Sequence, residues 1–171
     1  MTDMARSKKK SRELCFGAVL TALGCALRII QLTGAYFGAG FVSHKALYTA
    51  MLCLLCGGFA VLAYEKKGKA SLLAMVASAA SLLSTVMGNM SSGGDALRIF
   101  SAAFLVATFA AAGLHAVAAS NGKKLKSALG FATVALAILC GAMAAGLSLA
   151  PVATLAILIA AYLFTAAAVL V

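Results

Sequence analysis

Apolar residues run through this chain in long blocks separated by short polar breaks, and each block has the length of a bilayer crossing. A hydrocarbon core about 30 Å thick takes roughly 20 residues at 1.5 Å each. Cut at its polar breaks, the chain divides into six blocks: 14–32, 46–64, 70–90, 96–119, 125–147 and 151–171. They predict an all-α fold, a polytopic transmembrane helix bundle with six membrane-spanning helices, preceded by a basic segment over 1–13. Residues 127–171 carry no charge and are too long for one crossing, so they read as a hairpin. Its turn is expected at Gly146, Ser148 and Pro151, because proline suits a helix's first turn and breaks a helix elsewhere. Asp95 is the expected N-cap of the fourth helix and Ser43 that of the second.

Composition agrees with lipid as the solvent. Of 171 residues, 64% are hydrophobic, with 14 basic residues, 4 acidic ones, one proline and no tryptophan. A water-soluble chain this short would leave large apolar patches exposed. The net charge of +10 invites comparison with nucleic-acid binders, but the distribution excludes it. Eleven of the basic residues lie in three short clusters between the apolar runs: Arg6, Lys8, Lys9, Lys10 and Arg12; Lys66, Lys67 and Lys69; Lys123, Lys124 and Lys126. By the positive-inside rule these clusters, and with them both termini, are expected to be cytoplasmic. The opposite side carries Lys45 and Arg98, with Arg28 pointing toward it. Tyr36, Phe37, Phe41 and Tyr48 mark that outer boundary and Tyr64 the inner one. The expected localisation is a cell membrane, plasma or bacterial-type inner membrane, crossed in multiple passes. The first block is too long and is followed by too many others to read as a cleaved signal peptide. The three basic turns open the odd-numbered helices at nearly even spacing, which topogenic charge explains and a threefold hairpin repeat would explain too.

Within lipid, helices associate through small residues and hydroxyls rather than through hydrophobic burial. Narrow stripes of such residues recur: Gly17, Thr21, Gly24, Arg28 and Gln31 in the first helix; Thr49, Cys53, Cys56, Ala60 and Ala63 in the second. The third has Ser71, Ala74, Ser78, Ser81, Thr85 and Gly88, and the fourth Ser101, Leu105, Thr108, Ala112, His115 and Ala119. These stripes serve helix contact, within the chain or in a homo-oligomer or larger membrane complex, or else they line a solute path. The candidate lining is Arg28, Gln31, Thr21, Ser78, Ser81, Thr85 and His115. A guanidinium inside a span is costly, so Arg28 either snorkels to the headgroups or binds an anion, with Gln31 on its face and Asp95 or Arg98 at the mouth. His115 can titrate near neutrality or simply pack; His44 reads as solvated.

Catalytic chemistry finds little support. Cys53 and Cys56 form a C-x-x-C pair in mid-helix with no second pair to complete a zinc site, so they read as structural thiols, like Cys15, Cys25 and Cys140. All four acids, Asp3, Glu13, Glu65 and Asp95, fall at or beyond block ends, which disfavours ion-coupled pumping. No hydrolase motif and no phosphate loop is present, so no enzyme activity, cofactor or metal is expected.

The run Lys10-Ser11-Arg12-Glu13-Leu14, leading into Ala18, Ala22 and Ala26, resembles the opening of the substrate-binding membrane subunits of energy-coupling-factor vitamin transporters. The resemblance covers roughly the first 30 residues. It implies a six-helix solute-binding subunit, although such subunits tend to carry proline-rich outer loops and this chain has only Pro151. With Arg28, Gln31, Thr21 and the serines of the third helix as its lining, the expected function is a small transport-type protein or solute-binding membrane subunit. A structural or accessory membrane protein is the alternative, and a lipid-modifying enzyme using His115 comes last.

Overall fold

The computed structural model describes residues 15–38, 44–66, 68–90 and 95–171. Among these residues the chain is an all-α bundle of six helices: α1 (Phe16–Tyr36), α2 (His44–Lys66), α3 (Lys69–Met90), α4 (Asp95–Ala118), α5 (Lys124–Ala144) and α6 (Pro151–Leu170). The basic segment 1–13 and the expected cap Ser43 lie outside the described residues. Every helix is long and apolar enough to cross a membrane, and no more than a third of any span is buried inside the protein. The remaining faces carry residues such as Ile30, Leu73, Ile99 and Ile138, which only lipid can cover. The protein is a multi-pass membrane protein.

Two helix ends differ from the sequence expectation for local reasons. α1 runs on to Tyr36 because Thr33 turns its hydroxyl back onto the Ile29 carbonyl, at 2.9 Å, so the turn after Leu32 is no break. α5 stops at Ala144, since Gly146 takes φ +114°, a left-handed conformation that ends a helix and that a side chain resists. Pro151 then opens α6 in its first turn, as its fixed φ allows. Asp95 is the first residue of α4 and lies one turn from Arg98, which it pairs at 3.7 Å.

Short connections make consecutive helices antiparallel neighbours, and α6 returns against α1 to close the ring, with α4 also touching α6 across the middle. Hydroxyl side chains are buried among the apolar residues of the core. Thr21, Ser71, Ser78, Ser81, Ser101, Thr108, Thr133 and Thr165 are all buried. Thr108, Thr133 and Thr165 each donate to the carbonyl four residues back in their own helix. Inside lipid that local bond satisfies the hydroxyl without a partner helix.

Two crossings hold the bundle at the end where α1 begins and α6 finishes, called here the lysine end for Lys69, Lys123 and Lys124. At the first, a Cβ on Gly17 would sit 2.6 Å from the Gly58 carbonyl oxygen and 2.7 Å from the Leu62 nitrogen. At the second, a Cβ on Gly113 would sit 2.7 Å from the Gly130 carbonyl oxygen. Backbone meets backbone at both places, which no residue but glycine permits. One crossing lies within a hairpin and the other between hairpins, so these contacts do not follow a threefold hairpin pattern.

In α2 the expected contact stripe is not the one used. Cys53 is exposed, while Met51, Leu52, Leu55, Phe59 and Leu62 are buried. The reason lies in the partner. α1 presents Gly17 and Gly24, and Leu62 and Leu55 of α2 fill the space beside them, so small residues on one helix call for large ones on the next.

Candidate functional site

At the opposite end, α1, α2, α3 and α4 enclose a cleft of about 330 Å³. Arg28 and Gln31 enter from α1, Lys45 and Tyr48 from α2, Thr85, Gly88 and Asn89 from α3, and Arg98, Ser101 and Ala102 from α4. Helical spacing places each set: Arg28 and Gln31 are three residues apart, as are Lys45 and Tyr48, so each pair shares a face. Lys45 and Arg98 lie in the first turns of α2 and α4, which puts the mouth of the cleft at the end of the bundle and its depth toward Arg28.

One wall is held by a hydroxyl cluster at the α3/α4 crossing. Ser81 donates to the Ser101 carbonyl at 2.9 Å, and the Ser101 hydroxyl lies 3.1 Å from that of Ser81 and 2.6 Å from that of Thr85. Thr85 also donates to the Ser81 carbonyl at 2.8 Å. Two helices that carry no large side chains here are thus joined by polar bonds that lipid cannot replace.

Arg28 is the centre of the arrangement. Its guanidinium lies 4.6 Å from the centroid of the Tyr48 ring, a cation–π contact. Its Nη1 donates to Gln31 Oε1, and Tyr162 of α6 borders the same inner space. The Nε is buried and has no acceptor. No carboxylate among the described residues pairs with it: Asp95 is held by Arg98 and is 96% exposed, and Glu65 is at the lysine end against the Cys15 thiol. The side chain has turned onto an aromatic ring and an amide, neither of which carries a compensating charge.

Behind Arg28 lies a second chamber of about 310 Å³, formed by α1, α2, α4, α5 and α6. Arg28, Tyr48 and Ala102 border both spaces. The rest of the inner wall is Leu32, Leu105, Val106, Phe109, Cys140, Met143, Ala144, Leu158 and Tyr162. Phe109 and Tyr162 meet edge to face at 4.9 Å and, both fully buried, form one side of the chamber.

The candidate lining residues divide between this site and the packing. Arg28, Gln31 and Thr85 border the outer cleft. Ser81 stands behind it, holding Ser101. Thr21 is spent on the α1/α2 crossing, donating to the Gly17 carbonyl at 2.9 Å, and Ser78 donates to the Met75 carbonyl at 2.9 Å within α3. His115 is buried at the lysine end, beside Gly68 and a surface recess of about 590 Å³ that Lys69 also borders. No cysteine is joined in a disulfide, and no group of three or more metal-binding side chains occurs among the described residues.

No family model matches the chain, and neither a curated protein nor a solved structure is similar to it. The site therefore stands on its own geometry. Asn89 and Tyr162 were missed by sequence reasoning; a single tyrosine in an uncharged apolar block carries no periodic signal. Lys45 and Tyr48 were legible only as boundary residues; their convergence with Arg28 depends on how α2 lies against α1.

Proposed function

We propose that this is a small transport-type membrane protein whose cleft binds a solute bearing a negative charge. The observation that carries the reading is the guanidinium of Arg28, set in the cleft wall with no carboxylate partner among the described residues. Arg28 is partly withdrawn from water with its Nε buried, and such a cation is costly unless paired, so the site has a standing affinity for an anion. Gln31, Thr85 and Ser101 stand beside it to take the remaining polar atoms of a solute. Lys45 and Arg98 at the mouth draw anions inward before any contact forms. With the lysine clusters cytoplasmic, the mouth faces outward, which suits capture of a solute from the far side of the membrane.

The small-residue stripes weigh against a purely structural role. Gly17, Thr21 and Gly24 of α1 and Ala74, Ser78 and Ser81 of α3 are buried within the single chain, so they are already used. Native mass spectrometry from mild detergent tests the reading. Wild-type protein is expected to retain a small anion and Arg28→Gln to release it, whereas equal retention by both would refute the assignment.

A further inference from the structure

Beyond the outer cleft, and sharing Arg28, Tyr48 and Ala102 with it, lies a second chamber of similar size whose walls have a different chemistry. We infer that the bound solute is an amphipathic monoanion, a carboxylate with an apolar body, its head at Arg28 and its body in the inner chamber. The inference rests on the reading of the cleft as an anion site.

Polarity changes sharply across Arg28. On the mouth side stand Gln31, Asn89 and Ser101; on the inner side stand Leu105, Leu158 and Met143. The chamber of about 310 Å³ is a partly open recess, bordered by half-buried Leu105, Met143 and Leu158 and exposed Ala144, and it leaves room for an occupant. Water is a poor one, because each buried water needs two to four polar partners and the inner wall beyond Arg28 offers little besides the Tyr48 and Tyr162 hydroxyls and the Cys140 thiol. An apolar group loses nothing there and gains dispersion contacts with the wall.

The head carries one charge for an equally local reason. Among the described residues Arg28 is the one cation that borders both spaces, and Lys45 and Arg98 border the outer cleft alone. The protein already satisfies part of the guanidinium through Gln31 and leaves the buried Nε without an acceptor. A carboxylate matches the paired N–H donors of an arginine edge, and a small shift of the side chain brings Nε into that pairing. Entry is from water. The mouth is rimmed by Lys45, Asn89 and Arg98 in the end turns of their helices, where a bilayer lipid would have to leave its leaflet to reach it.

The test uses the full chain in phosphatidylcholine nanodiscs, titrated with octanoate, octanamide and acetate by native mass spectrometry. Octanoate is expected to bind at least about tenfold tighter than either of the others, since one lacks the charge and the other the apolar body. Arg28→Gln should bring octanoate down to the level of octanamide. Leu158→Trp, which fills the inner chamber, should weaken octanoate about tenfold and leave acetate unchanged; Ala144→Leu narrows the same chamber more gently should the first variant fail to fold. If acetate binds wild type as tightly as octanoate, with both lost in Arg28→Gln, the apolar body is refuted and the anion site stands. If octanamide equals octanoate, or neither binds, the anion site falls as well. Should phosphatidylglycerol in the nanodisc displace octanoate at equal concentration, a bilayer lipid is the occupant and the inference is overturned.

Discussion

The two ends of the bundle solve the same problem in opposite ways. At the lysine end, Gly17 against Gly58 and Gly113 against Gly130 bring backbones into contact and leave no room between those helices. At the other end, Arg28, Lys45, Tyr48 and Arg98 occupy the equivalent positions, and their bulk and charge hold four helices around a cleft. Lipid gives helices no hydrophobic reason to associate, so a membrane bundle closes where side chains vanish and stays open where they are large and polar. The difference teaches that the cleft depends on the crossings. A ring of helices can afford a polar cavity at one end because glycine contacts fix it at the other.

Breaking a crossing should have the largest effect. A Cβ at Gly58 would fall 2.7 Å from the Thr21 nitrogen and 2.9 Å from the Gly17 oxygen. Gly58→Ala is expected to destabilise the protein by about 3 kcal/mol, measured by reversible unfolding in bicelles, because neither backbone atom can yield without moving a helix. Gly130→Ala should behave alike.

At the cleft end the expectation inverts. Arg28→Gln should weaken anion binding by about 2 kcal/mol, read by titration, the scale of a hydrogen bond to a charged group. Its stability should change by less than about 1 kcal/mol, because removal of an unpaired charge offsets the lost contacts with Tyr48 and Gln31. A loss of stability as large as that of Gly58→Ala would place Arg28 among the structural residues and erase the contrast.

Smaller again is Ser101→Ala, which removes the hydroxyl that Ser81 and Thr85 share. Interhelical bonds of this kind average about 0.6 kcal/mol in membranes, so a cost of about 1 kcal/mol is expected by the same unfolding assay, with weaker binding through a loosened wall. The sharpest control is the neighbour of Gly58. Gly57 has nothing within 4 Å of where a Cβ would stand. Gly57→Ala should therefore change stability by less than about 0.5 kcal/mol, or raise it slightly through helix propensity.

What the amino-acid order determined by itself is the solvent, the number of helices and most of their inward faces. Crossing length is set by bilayer thickness and hydroxyl stripes by the lack of water, so both are written in local composition. The buried faces of α1, α3 and α4 follow that rule, with Gly17, Thr21 and Gly24, then Ser71, Ala74, Ser78 and Ser81, then Ser101, Thr108 and Ala112. α2 departs from it, since Met51, Leu55 and Leu62 are buried against the gaps that α1 provides, and a stripe cannot announce the shape of its partner. Arg28 and Gln31 were legible as an expensive polar pair inside a span. That Arg28 meets Tyr48 and shares a second chamber with Tyr162 was decided only by the closure of the ring, in which α6 lies against α1. Contacts between the first helix and the last depend on every crossing angle in between, and no local pattern encodes their sum.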